Sequence, residues 1–77
     1  MNLKQALTVY KMCGPKSTRG VSSEARATQV VHSHLIATEI FALKNAWDAR
    51  TKNPNGRLDF DALMLGCETR LKSEGIL

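Results

Sequence analysis

Four side chains in this 77-residue chain are of the types that ligate a soft metal or move a proton: Cys13, His32, His34 and Cys67. Their number suits zinc and their spacing does not. No Cys-x-x-Cys pair exists, and on a helix His32 and His34 point about 200° apart, so both cannot readily reach one ion. Cys67 falls on an apolar helical seam, where a small buried hydrophobe is expected. His34 lies between Val30 and Phe41 on an apolar stripe, with Glu39 five residues on. A general base needs a nucleophile or carboxylate beside it in a pocket, and no Ser-His-Asp or Cys-His set is readable. His34 is instead expected as a partly buried contact whose environment can move its titration across neutrality. The expectation is a protein that is not an enzyme, with no catalytic residue, metal or cofactor.

Phosphate chemistry is the next option. Lys16-Ser17-Thr18-Arg19-Gly20 precedes a helix start, where cationic side chains and backbone N–H groups can meet an anion. It lacks the glycine spacing and the Gly-Lys-Ser/Thr ending of a Walker loop. The chain carries a net charge of +4 and a pI near 9.4. Lys4, Lys11, Lys16, Arg19 and Arg26 face only Glu24 in the first third, and Arg50, Lys52 and Arg57 gather around the second turn. Such an excess favours an acidic protein face or a nucleic acid. The last helix argues against major-groove insertion of its own, since Glu68 and Glu74 offset Arg70 and Lys72.

The strongest break in the chain is Asn53-Pro54-Asn55-Gly56. With Gly56 at the sixth position, Asn53, Asn55 and Asp59 take the third, fifth and ninth, and "NPNGRLDFDAL" resembles an EF-hand loop entering its exit helix. Thr51 and Ala62 stand where that family has its first aspartate and its bidentate glutamate. A hard divalent cation needs both, so an ordinary turn between helices is expected and calcium should not bind.

Helices must position these residues. Asn2 can cap a short first helix whose Leu3, Ala6, Leu7 and Tyr10 follow the i, i+3, i+4, i+7 rule, and Gly14-Pro15 ends it. Ser22 or Ser23 opens what reads as one long helix to about Thr51, with Glu24 at its positive end. Its apolar residues form three stripes: Ile36/Ile40/Leu43/Trp47, then Val31/Leu35/Ala42/Ala46/Ala49, then Val30/Ala37/Phe41 with His34 among them. Asp59 can cap a third helix, on which Phe60, Met64, Cys67 and Leu71 repeat at +4, +3, +4, with Gly75 closing it.

The expected architecture is therefore all-α, a single domain over 1–77. A short N-terminal helix, a long central helix and an antiparallel third helix form a helical hairpin within a dimeric bundle. A helix apolar on several sides must be surrounded, and a chain this short has little to surround it with, so a homodimer is expected. Val31, Leu35, Ile36, Ile40, Leu43, Trp47, Phe60, Met64, Cys67 and Leu71 are the expected core and dimer residues. Lys16, Arg19, Arg26, Val30, His34 and Phe41 are the expected contact surface for a protein partner. Polar residues throughout the long helix exclude a membrane span, no secretory leader is readable, and two cysteines define no disulfide framework, so a cytoplasmic setting is expected. The functional expectation is a non-enzymatic interaction module, an inhibitor, adaptor or regulator of a larger protein. The alternative is a small basic nucleic-acid-associated regulator.

Overall fold

The computed structural model describes residues 1–53 and 55–77; Pro54, part of the break expected in the second turn, lies outside the described residues. The described residues form four helices and no strand: α1 (Leu3–Cys13), α2 (Ser23–Ser33), α3 (Ala37–Ala49) and α4 (Gly56–Ser73). The chain is all-α. Its contacts gather into two compact units, Met1–Leu35 and Ile36–Leu77. None of the described helices is long and apolar enough to cross a membrane.

In the first unit, α1 opens with a reciprocal cap: Asn2 Oδ1 accepts the Gln5 N–H at 2.8 Å and Gln5 Oε1 accepts the Asn2 N–H at 3.1 Å. It stops at Gly14, whose φ of 72° suits glycine and whose N–H bonds the Tyr10 carbonyl at 2.7 Å. Ser22 caps α2 by accepting the Ala25 N–H at 3.2 Å. Ala6, Leu7 and Tyr10 from α1 are buried, as are Ala25, Ala27, Thr28 and Val31 from α2, with Leu35 just beyond. Besides Tyr10, Thr28 is the buried side chain among them that carries a hydroxyl. Its hydroxyl donates to the Glu24 carbonyl at 2.9 Å and accepts the Lys16 N–H at 3.1 Å, so its burial is compensated.

The single long helix expected from 22 to 51 is two helices. Ser33 Oγ donates to the Val30 carbonyl at 2.7 Å, and His34 Nδ1 lies 2.9 Å from the same oxygen. That carbonyl would accept the His34 N–H in a continuing helix. The His34 N–H bonds Val31 instead, at 3.1 Å, and the backbone at Ile36 is extended, with φ −85° and ψ 161°. Serine and histidine side chains thus compete with the ladder for the last carbonyls of α2. Glu39 Oε1 then accepts the Ile36 N–H at 3.0 Å and starts α3. Ile36 has no acceptor to complete a reciprocal cap. The several-sided apolar pattern therefore belongs to two helices with different faces, and it no longer argues by itself for a surrounded helix.

In the second unit, Leu43 and Ala46 of α3 are buried with Phe60, Met64, Cys67 and Leu71 of α4. The +4, +3, +4 seam forms as the spacing predicts. Glu39, early in α3, meets Arg70, late in α4, while Trp47, late in α3, meets Phe60, early in α4, so the two helices run antiparallel. The helix α4 begins at Gly56, three residues before the expected Asp59 cap, which sits inside its first turn. Gly56 permits that early start. A Cβ there would collide with the Arg50 backbone and lie 2.8 Å from the Ala49 carbonyl carbon. The helix closes as the Ile76 N–H reaches the Leu71 carbonyl at 2.9 Å, beyond Gly75.

Candidate functional site

The connector between α1 and α2 is tied down. Besides the Lys16 bond to Thr28, Gln29 Nε2 donates to the Thr18 carbonyl at 2.5 Å, and Arg19 N–H reaches Ser17 Oγ at 3.4 Å. Gln29 is one turn from Arg26 on α2, whereas Thr28 is two residues from it and faces another side, so the connector passes from the Thr28 side at Lys16 to the Gln29 side at Thr18. Lys16, Arg19 and Arg26 are all exposed. Val30 is half-buried and His34 exposed, its ring occupied at the α2 terminus. This unit holds five basic side chains against one acidic. The second unit holds six of each. The whole +4 of the chain therefore resides in its first unit.

His32 Nε2 sits 2.9 Å from the buried Tyr10 hydroxyl, with the rings edge-on at 5.4 Å. Glu39 accepts both Arg70 Nε at 2.7 Å and Nη2 at 2.6 Å, a bidentate pair that also joins Glu74. These bonds hold the Glu39 carboxyl below its usual range and lift Arg70 further above its own. Burial, then the neighbouring Glu39 charge, pushes the Cys67 thiol up to about 11, the reverse of what a thiolate nucleophile needs. Glu39 thus caps α3 and clamps it to α4.

The turn departs from calcium-loop geometry. Since α4 begins at Gly56, everything from the would-be sixth position onward is helical, where an EF-hand still carries loop ligands. Asn53 Oδ1 accepts the Asn55 N–H at 3.0 Å and the Asn53 carbonyl accepts the Gly56 N–H at 3.0 Å. Arg50, counted above with the basic turn, lies over the Trp47 ring at 3.4 Å from its centroid. Among the described residues, no three His, Cys, Asp or Glu side chains converge as metal ligands.

The outer faces of α3 and α4 are apolar to a degree that the stripes did not reveal. Phe41 is 68% exposed, Leu58 68% and Leu65 65%. Ile36, expected in the core or dimer set, is 56% exposed, while Ile40 and Trp47 are half-buried. A shallow open groove of about 300 Å³ runs between the helices, lined chiefly by Thr38, Ala42, Ala62, Leu63 and Gly66. A Cβ on Gly66 would meet nothing within 4 Å. Leu58, Leu65 and Gly66 lie off the buried seam of α4, so its apolar periodicity does not single them out. A helix-interior glycine was the available signal. No known protein family, curated protein or solved structure matches the chain.

Proposed function

We propose that the protein is a non-enzymatic interaction module, a regulator, inhibitor or adaptor of a larger protein, that works as a helical homodimer. The observation that carries this reading is the outer surface of the α3/α4 unit. Three large apolar side chains, Phe41, Leu58 and Leu65, stand exposed on a unit with balanced charge. Scattered exposed apolar residues are ordinary, but Leu58 and Leu65 recur seven residues apart on one side of α4, and an exposed apolar stripe of that kind supports a contact surface, with Phe41 on the outer side of α3 as a second. Balanced charge on this unit adds no net repulsion at the contact itself, although each copy carries +4 on its first unit. Cys13 and Cys67 are both free thiols, which supports a reducing, cytoplasmic setting.

Sedimentation equilibrium tests the reading. The wild-type chain should be dimeric at micromolar concentration. Phe41→Glu with Leu65→Glu should yield a monomer that keeps its helicity, because neither side chain is buried in the protomer. A wild type that stays monomeric at high micromolar concentration overturns the homodimer. A double variant that still binds the larger partner as tightly as wild type removes this surface from the interaction.

A further inference from the structure

We propose that the α2–α3 junction is a two-state hinge. The interrupted form described above exchanges with one continuous helix from Ser23 to Ala49, and side-chain bonds from Ser33, His34 and Glu39 set the balance. The proposal stands whether or not the chain pairs with a second copy. Nothing in the covalent chain enforces the interruption, since no glycine or proline falls between Gly20 and Pro54. At Ile36 φ is −85°, already within the helical range, so only its ψ of 161° has to turn at that residue. Ile36 also lends no side-chain acceptor to the first amides of α3. In a continuous helix the Ala37, Thr38 and Glu39 N–H groups would instead reach the Ser33, His34 and Leu35 carbonyls.

What holds the interruption is a short set of exposed bonds. Ser33 Oγ and His34 Nδ1 occupy the Val30 carbonyl, and Glu39 Oε1 takes the Ile36 N–H. Exposed hydrogen bonds contribute little net stability, because water offers the same partners when they open. They compete here with backbone bonds that the continuous helix would gain. The boundary between the compact units falls at this same place, between Leu35 and Ile36. The contacts of α1 with α2, and of α3 with α4, each lie within one unit. Extending the helix across the boundary leaves both packings and the Glu39–Arg70 clamp in place. Element-terminal residues that can absorb a backbone change between two bodies are what a hinge requires.

The two states differ in one surface. Val30, His34, Ala37 and Phe41 are spaced +4, +3, +4; Val30 is half-buried and the other three are exposed. In the interrupted state the unit boundary divides them two and two. In a continuous helix they share one side, and the His34 ring leaves the Val30 carbonyl as the helical ladder takes it over. Any ligand that needs the joined stripe binds only the continuous state, so its apparent affinity scales with the population of that state. The junction thereby gates the stripe.

Relaxation-dispersion NMR on the full chain tests this, with Ala37→Pro to separate the states. Ala37 is the first residue of α3 and follows an extended Ile36, a position and a predecessor that suit proline. In a continuous helix the same proline would be interior and would disfavour that state about 100-fold or more. The wild type should show exchange at residues 34–38 with a minor state whose Leu35 and Ile36 shifts are helical. Ala37→Pro should melt like wild type and lose the exchange. Ser33→Ala with His34→Ala frees the Val30 carbonyl and should raise the continuous population about 5-fold or more. If that variant melts early, Ser33→Ala alone should raise it about 2-fold. Thr38→Ala adds helix propensity in the same stretch without freeing a carbonyl and should do less. A wild type without exchange, together with an Ile36 that stays extended in the Ser33/His34 variant, overturns the proposal. So does exchange that persists in Ala37→Pro, a marked fall in the melting temperature of Ala37→Pro, or a Thr38→Ala effect that matches the Ser33/His34 variant.

Discussion

Glu39 is the one fixed charge between Ala27 and Leu43, and its surroundings account for it. One carboxylate satisfies the Ile36 N–H at the start of α3 and grips Arg70 on α4, so it serves as cap and as clamp. Because these bonds hold its folded pKa below the ordinary 4.5, the stability it supplies is complete above that value and is lost as the pH falls through the folded pKa. Glu39→Gln should therefore lower the melting temperature at pH 7. The gap from wild type should close in acid below about pH 4.5, as followed by circular dichroism. A gap that persists unchanged to pH 2 would show that the carboxylate charge is not what matters. Two glycines offer a second prediction with opposite signs. Gly56→Ala forces a methyl against the Arg50 backbone and should cost about 2 kcal/mol or more. Gly66→Ala enters open space in a helix interior and should stabilise the protomer by about 0.5–1 kcal/mol. Chemical denaturation of both variants checks the pair.

At the scale of elements, the chain was legible where local signals and periodicity agreed. Asn2, the Leu3–Tyr10 pattern and Gly14-Pro15 define α1 in the sequence as in the structure, and the Phe60/Met64/Cys67/Leu71 seam is buried throughout. The α2–α3 junction was not legible. Neither glycine nor proline marks it, and the apolar positions on either side can be joined into plausible stripes. Its determinants are side-chain bonds from Ser33, His34 and Glu39 to backbone groups, and its N-cap is an isoleucine, which advertises nothing. The surface residues divided similarly. Lys16, Arg19 and Arg26 could be picked out by charge, whereas the Gln29 bond that draws the connector toward Arg26 had no sequence signature. The seam itself is testable: Leu71→Ala, at a site with no exposure, should cost about 2–5 kcal/mol. Hydrogen exchange should show the loss of protection chiefly over 36–77, because that variant removes contacts internal to one compact unit. Equal loss over 1–35 would mean that the units open together.

At the scale of the whole molecule, the notable feature is the division of labour in charge. The pI near 9.4 is an average that describes neither unit: the first carries all of the +4 and the second is balanced. The balanced unit is also the one that exposes Phe41, Leu58 and Leu65. Taken alone, a surface of that kind, with no net charge to hold copies apart, is colloidally unprotected. The basic unit supplies that protection in cis, since each added copy brings another +4 to the assembly and mutual repulsion grows with every addition. If copies gather through any surface, covalent attachment of the α1/α2 unit would limit how many can do so. Salt that screens this repulsion, or a polyanion that neutralises it, would raise that limit, so solubility and assembly size become functions of what occupies the first 35 residues.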